Sequence, residues 1–147
     1  MEIKEIDAEQ TWQLRQQVMW PGKDISQVIL TDDASGTHYG LFNEERLVSV
    51  ISVFVSGEQL QFRKFATVAE LQGNGFGTRL LEFVLTKARQ DGLNAIWCNA
   101  RTSKVSFYKK FGLEETGEPF TKDCVEYIKM SNNQAAAYVR RDLCDKS

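Results

Sequence analysis

A glycine-rich loop that leads straight into an amphipathic helix is the feature that most restricts the fold of this chain. Three glycines alternate with other residues between positions 72 and 78, namely Gly73, Gly75 and Gly77. Apolar residues then recur at every fourth position, at Phe76, Leu80, Val84 and Ala88, which places them on one face of a helix. Glycines allow the backbone to approach a ligand closely, and the first N–H groups of a helix are unpaired and partly positive. The loop is therefore predicted to bind phosphate oxygens.

Two common phosphate-binding motifs fit this loop poorly. The dinucleotide fingerprint G-x-G-x-x-G requires a third glycine where Thr78 stands. The P-loop ends in G-K-[ST], whereas Gly77 is followed here by Thr78 and Arg79. A glycine-rich turn that binds no ligand remains the alternative at this point.

Hydrophobic periodicity predicts an α/β chain with strands on both sides of this helix. Asp7 is a candidate N-cap for a helix over 8–18, which Pro21-Gly22 ends. The predicted strands lie at 1–6, 39–42, 46–55, 59–69, 94–98, 113–117 and 124–130. A short helix is predicted at 103–110, and residues 25–30 are expected to be helical or irregular. The strands flanking the long helix should run parallel because a helical crossover joins them. We expect a single domain over 1–131, followed by a tail, 132–147, whose composition permits a helix.

Composition limits the partners of the chain. With 147 residues, 42% of them hydrophobic and 26% charged, the chain has the size and composition of one ordinary globular domain. A net charge of −2 argues against nucleic acid as the main partner. The longest apolar stretch, 47–55, is too short for a membrane helix, and the N-terminus has no apolar signal region. A cytoplasmic protein without a membrane partner is therefore expected.

The cysteines and the lone histidine are predicted to be structural. Cys98, Cys124 and Cys144 are odd in number and lack metal-site spacing, so they are expected to be reduced thiols, with no bound metal. Cys98 lies in an apolar run that predicts a core position. His38, the only histidine, is expected to be a satisfied surface or edge residue rather than a catalytic one.

Two segments in order resemble the motifs of the GNAT family of N-acetyltransferases. Residues 72–77 match [QR]-x-x-G-x-[GA], that family's pyrophosphate-binding motif. Residues 99–113 resemble its second motif, N-A-x-x-x-A-x-x-F-Y-x-K-x-G-F, with Lys104 in place of a small residue and Leu113 in place of phenylalanine. The order and spacing of the motifs agree, and the resemblance extends to Met130.

This resemblance implies a mixed, mostly antiparallel α/β sheet flanked by helices, in which the strand before the loop splays from its neighbour to open a cofactor cleft. It also implies that acetyl-CoA is the acetyl donor, in direct transfer within a ternary complex. The residues implied to bind the pyrophosphate are Gln72, Gly73, Asn74, Gly75, Phe76, Gly77 and Thr78. The backbone of Phe65, Ala66 and Thr67 would pair with the pantetheine arm, and Asn99 would contact the arm from another strand.

Two tyrosines are candidate catalytic residues on this resemblance. Tyr108 stands at the position of the general acid, because a phenol can protonate a departing thiolate; the alternative is that it only packs a short helix. Tyr127 is the weaker candidate. It acts either as the general base or as a residue that lines the pocket, and a phenol is a poor base at neutral pH.

Residues 11–21, 63–67, 97–103 and 108–112 look like the pattern of one group within the family, the glyphosate N-acetyltransferases, which the chain resembles most. Arg63 and Arg101 match arginines that hold an acidic substrate in that group, although each could also be a solvated or structural arginine. Trp20, before Pro21, replaces an arginine of the group and would form an apolar wall, and Tyr127 replaces a histidine. The acceptor is thus expected to be a small, acidic amine with an apolar or aromatic part. A peptide acetyltransferase and a non-catalytic acetyl-CoA-binding module are the alternatives, and a homodimer is left open.

Overall fold

The computed structural model describes residues 1–132, which form a mixed α/β fold with seven strands and three α-helices. The strands are β1 (Glu2–Ile6), β2 (Thr37–Asn43), β3 (Arg46–Ser56), β4 (Gln59–Thr67), β5 (Ala95–Arg101), β6 (Glu114–Lys122) and β7 (Val125–Ser131). The helices are α1 (Ala8–Met19), α2 (Phe76–Gln90) and α3 (Val105–Lys109), with 3-10 turns at Ile25–Gln27, Asp33–Ser35, Ala69–Leu71 and Thr102–Lys104. The tail predicted over 132–147 lies outside the described residues, apart from its first residue.

The sheet order is β1-β2-β3-β4-β5-β7-β6. The pairs β1–β2, β2–β3, β5–β7 and β6–β7 are antiparallel, and β4–β5 is parallel. This arrangement confirms the predicted mixed, mostly antiparallel sheet and the parallel pair on either side of α2. The described residues divide into two compact units: unit 1 comprises Met1–Val55 and Phe62–Lys87, and unit 2 comprises Ser56–Gln61 and residues 88–132.

In unit 1, α1 begins at the predicted N-cap, where the Asp7 N–H donates to Gln10 Oε1 at 2.9 Å. A buried ion pair then ties the segment that follows this helix to the rest of the unit. Arg15 donates to both carboxylate oxygens of Asp33 at 3.0 Å and to the Val28 carbonyl at 2.8 Å. It also donates to Ser52 Oγ on β3 at 2.8 Å. The irregular segment 20–36 is therefore held by one fully buried guanidinium.

The expectation of a surface or edge position for His38 was wrong, although the side chain is satisfied as expected. His38 is buried on β2, which has β1 on one side and β3 on the other. Its Nδ1 lies 2.7 Å from Ser52 Oγ, and its Nε2 lies 2.9 Å from the Asp33 carbonyl oxygen. Because Arg15 already donates to Ser52 Oγ, that hydroxyl has its own proton free to donate to Nδ1.

In unit 2, β5 pairs with β4 only through Gln59–Gln61 and Ala95–Trp97. Alternate residues of β5 and β7 form the core of the unit, and they are Ile96, Cys98, Ala100, Ile128 and Met130. The core position predicted for Cys98 is thereby confirmed. Residues between them face the other side, where Trp97, Asn99, Arg101 and Tyr127 are partly or fully exposed.

Several predicted boundaries differ from the structure. β4 ends at Thr67 instead of Ala69, because a 3-10 turn begins at Ala69. β5 continues to Arg101 instead of ending at Cys98. β6 continues to Lys122, because its pairing with β7 resumes at Phe120 after an irregularity that begins at Thr116. Among residues 1–132, none of the helices combines the length and the hydropathy of a membrane-spanning helix. Within residues 1–132, no cluster of three or more His, Cys, Asp or Glu side chains could hold a metal ion.

Candidate active site

Two side chains of the glycine loop in unit 1 bond back to the chain that precedes it, one to the end of β4 and one to the 3-10 turn at Ala69–Leu71. Gln72 Nε2 donates to the Thr67 carbonyl oxygen at 2.9 Å, and Asn74 Nδ2 donates to the Leu71 carbonyl oxygen at 3.0 Å. Both side chains use backbone acceptors that precede them in sequence, and for Asn74 this is a common local pattern in turns. The path of the loop is therefore determined locally, before any ligand is considered.

The three glycines of the loop serve two different purposes. Gly73 and Gly75 have φ angles of +85° and +84°, which disfavour any residue with a side chain. A Cβ at either position would meet no atom within 4 Å, so the space beside them is open. At Gly77, a Cβ would lie 3.1 Å from Thr67 Oγ1 and 3.3 Å from Phe65 Cζ. The third glycine thus lets the start of α2 lie close against β4.

The start of α2 presents unpaired donors on the side of the loop. The Arg79 N–H bonds back to the Gly75 carbonyl oxygen at 3.0 Å, and it begins the helical pairing. The N–H groups of residues 76–78 therefore precede the internal hydrogen bonds of the helix and point toward its N-terminal end. The first turn contains no acidic residue and carries Arg79. These features fit a diphosphate, because its negative charge is favoured by both the donors and the helix dipole.

β4 is kinked just before its last residues. Lys64 adopts a φ of +54°, which is uncommon for a residue with a side chain. The kink lies beyond Gln61, the last residue of β4 that pairs with β5. No local signal in the sequence predicted it. The segment that follows, 65–67, is anchored to β3, since Ser49 Oγ donates to the Ala66 carbonyl oxygen at 3.1 Å.

In unit 2, Tyr108 lies on α3 in a largely apolar setting, with its ring edge-on to Phe107 at 5.2 Å. Burial raises the pKa of the Tyr108 phenol well above its usual value; the nearby Cys98 adds to this effect, while the positive charge of Arg101 opposes it. Burial likewise raises the pKa of the Cys98 thiol to about 12. Both groups therefore keep their protons at neutral pH.

Arg101, at the end of β5, is the register partner of Tyr127 on β7. The Nε of Arg101 is buried and makes no hydrogen bond within residues 1–132. The structure thus places Arg101 opposite Tyr127 on the next strand and close enough to Tyr108 to affect its pKa. Asn99 lies two residues earlier on the same strand, and its side chain is exposed. Sequence reasoning missed Phe120, whose ring stacks on that of Tyr127 with centroids 5.7 Å apart.

The other two candidate substrate residues lie in unit 1. The Nη1 of Arg63 lies 3.3 Å from Asp32 Oδ2, and its guanidinium lies 5.7 Å from the ring centroid of Phe54. Arg63 therefore already has an acidic partner in this structure. Trp20 is the C-cap of α1 and is partly buried.

Comparison with known proteins agrees with this architecture. A family model described as an acetyltransferase (GNAT) domain matches residues 4–133. The uncharacterized N-acetyltransferase YitI of Bacillus subtilis (strain 168) is 31% identical over 129 residues, which cover 82% of this chain and 87% of that relative. Escherichia coli ElaA has a similar structure, with a TM-score of 0.76, 19% identity, and coverage of 90% of this chain and 99% of that one. A GNAT family acetyltransferase from Elizabethkingia anophelis with acetyl-CoA bound gives a TM-score of 0.66, 18% identity, and coverage of 88% and 94%.

The chain belongs to the GNAT acetyltransferase family. It is an acetyl-CoA-dependent N-acetyltransferase, so acetyl-CoA is the acetyl donor and an amine is the acceptor. The family resemblance found in the two sequence motifs is thereby confirmed.

Proposed function

We propose that this enzyme moves an acetyl group from acetyl-CoA to the amine of a small acidic molecule, by direct transfer in a ternary complex. The observation that carries the substrate class is the buried Arg101 Nε, which has no hydrogen-bond acceptor among the described residues. A buried donor without an acceptor costs about 1–3 kcal/mol. A carboxylate or phosphonate of the acceptor would satisfy it, because the planar guanidinium pairs with such groups through two parallel hydrogen bonds.

The residues of unit 1 would hold the cofactor. The N–H groups of 76–78 would bind the pyrophosphate, and the open space beside Gly73 and Gly75 would admit it. Gln72 and Asn74 hold the loop in this shape. The backbone of Phe65–Thr67 would pair with the pantetheine arm, and Asn99 of unit 2 is the further candidate for a contact with it.

The bound thioester supplies the acetyl group. A backbone N–H of the segment 65–67 would polarise its carbonyl oxygen. The neutral amine nitrogen bonds to the carbonyl carbon and the carbon–sulfur bond breaks; Tyr108 gives its proton to the departing thiolate, and the amine loses one to solvent. Burial keeps the Tyr108 phenol protonated, so it is available as a donor at neutral pH. The stacking of Phe120 on Tyr127 supports a lining role for Tyr127 in preference to a base.

The state of Cys98 supports direct transfer. Cys98 is buried and its pKa is raised to about 12, so it is a thiol and not a nucleophilic thiolate. Free thiols also fit the predicted cytoplasmic location.

A relationship to the glyphosate N-acetyltransferase group is part of the proposal, but glyphosate itself is not the proposed acceptor. Of the three arginine positions expected from that group, one is Trp20, and a second, Arg63, is paired with Asp32. The group's histidine is replaced by Tyr127. An acceptor with one acidic group and an apolar part therefore fits these residues better than a strongly anionic one.

The test is a panel of neutral amines, acidic amines and peptides assayed with acetyl-CoA by release of free thiol. We expect acidic small amines to be acetylated fastest. Arg101→Ala should raise their KM about ten- to a hundredfold, because it removes hydrogen bonds to a charged group. It should spare acetyl-CoA binding, and Arg46→Ala on the exposed Arg46–Glu70 pair is the control. An equal effect on neutral and acidic amines would contradict the proposal, and faster acetylation of peptides would favour a peptide acetyltransferase.

A further inference from the structure

Three side chains form a row across unit 2: Arg101 on β5, Tyr127 on β7 and Phe120 on β6. Arg101 is the register partner of Tyr127, and Tyr127 is the register partner of Phe120. Directly paired residues of neighbouring antiparallel strands lie on the same face of a sheet. The rings of Phe120 and Tyr127 are stacked, with an interplanar angle of 23°. The row thus places an arginine next to a stacked aromatic pair.

An irregularity in β6 brings Phe120 into this row. Thr116 pairs with Lys129 and Phe120 pairs with Tyr127, so β6 advances by four positions where β7 advances by two. In a regular ladder, Glu118 would face Tyr127. Gly117 enters the bulge with a φ of +81°, and Pro119 has no N–H to donate to the ladder. Bulges commonly redirect a side chain next to an active site, and this one replaces a carboxylate beside Tyr127 with an aromatic ring.

The two ends of the row are each incomplete. Phe120 remains 41% exposed although it is a large apolar residue. At the other end, the Arg101 Nε is buried and has no hydrogen-bond partner among residues 1–132. The two ends are two strand spacings apart, which is about 10 Å. One ligand that carries an anionic group and an aromatic ring could accept the hydrogen bond of Arg101 and cover the exposed ring of Phe120.

We propose that this row selects acceptors that carry an aromatic ring as well as an acidic group, with the acid on Arg101 and the ring against Phe120 and Tyr127. The inference rests on the proposed function, since it assumes a small acidic acceptor. Phe120 is then a specificity-determining residue. It contributes through stacking, which favours aromatic pairs beyond the area that they bury.

The kinetic test compares phenylalanine with glycine as acceptors, because both carry an amine and a carboxylate and only one carries a ring. In Phe120→Ala, the KM for phenylalanine should rise about three- to tenfold, the fold-change that corresponds to one aromatic pair. The kcat and the KM for glycine should change by less than about twofold. Phe120→Tyr should retain the preference, and Val55→Ala, which truncates another exposed apolar residue, is the control.

The result that overturns the inference is an equal change in KM for phenylalanine and glycine, or a parent enzyme that does not prefer phenylalanine. Urea denaturation separates this outcome from a loss of folding, and Phe120→Leu, which keeps apolar area without a ring, replaces the alanine variant if that one unfolds. An equal effect of Phe120→Ala on the KM for phenylalanine and for glycine would mean that the stack of Phe120 on Tyr127 only stabilises the β6–β7 hairpin.

A binding measurement that needs no turnover distinguishes this inference from the proposed function. Phenylacetate and acetate are titrated against the parent, Phe120→Ala and Arg101→Ala by NMR. Phenylacetate should bind the parent more tightly than acetate, and Phe120→Ala should remove most of that difference. If the parent acetylates no acidic amine, the proposed function fails. The comparison of phenylacetate with acetate still tests whether the row binds an aromatic ring together with an acidic group. If acidic amines are acetylated and phenylacetate binds no better than acetate, only the inference about the row fails.

Discussion

Replacing Arg15 with methionine is expected to destabilise the protein by about 3–5 kcal/mol, the cost of breaking a buried ion pair by removing one partner. Arg15 is fully buried and makes four hydrogen bonds, two of them to Asp33. Methionine replaces most of the apolar stem but none of these donors. The carboxylate of Asp33, itself 5% exposed, would retain only the Trp12 Nε1–H and the Leu30 N–H.

The pH dependence of this loss follows from Asp33. Burial by itself raises the pKa of Asp33, but the hydrogen bonds from Arg15, Leu30 and Trp12 and the charge of Arg15 bring it below its ordinary value. Because the folded pKa lies below the unfolded value of about 3.9, the carboxylate stabilises the parent above that pH. This contribution is lost as the pH falls through the folded pKa. In Arg15→Met the effect of burial should dominate, so acidification should narrow the difference between variant and parent.

Urea denaturation at pH 7 and at pH 4 measures both effects. In thermal denaturation, the same loss of stability should lower the melting temperature by roughly 2–4 °C per kcal/mol. The matched control is Arg46→Met, which breaks the exposed pair with Glu70 at 3.4 Å and should cost less than about 1 kcal/mol. Asp33→Asn in the Arg15→Met background should recover part of the loss by removing the buried charge. Equal destabilisation by Arg15→Met and Arg46→Met at pH 7 would refute the reasoning.

Two further predictions concern the cofactor loop and the general acid. Gly75→Trp should abolish the stabilisation by acetyl-CoA, which is about 2.7 kcal/mol at a hundredfold excess over the dissociation constant. Gly22→Trp, at another glycine with positive φ and open space, should keep it; thermal shifts that survive in a folded Gly75→Trp would contradict the pyrophosphate assignment. Tyr108→Phe should lower kcat by about ten- to ten-thousandfold and change acetyl-CoA affinity little. Because the pKa of Tyr108 is raised, ionisation of this phenol should cause no loss of kcat in the parent below about pH 10. A loss of kcat near pH 8.5 that is absent in Tyr108→Phe would argue against a raised pKa for Tyr108.

Features set by neighbouring residues in the chain were predictable from the sequence. The start of α1 at Asp7, the stripe of α2 and the glycines before it depend on capping, periodicity and backbone freedom, which act within a few residues. The parallel pair β4–β5 follows from the same local pattern, because a helix between two strands imposes it. The family, and with it the acetyl-CoA chemistry, could be recognised from two short motifs for the same reason.

Features set by residues far apart in the chain required the tertiary structure. Arg63 was predicted as a substrate residue, but its pairing with Asp32 joins residues 31 positions apart. The burial of His38 depends on the strands that pair on both sides of β2. The row of Arg101, Tyr127 and Phe120 depends on the register of three strands, which a two-residue bulge shifts. Hydrophobic periodicity reports which face of a strand is buried but not which residue lies opposite on the next strand, so the candidate acceptor site was decided by strand register and long-range packing.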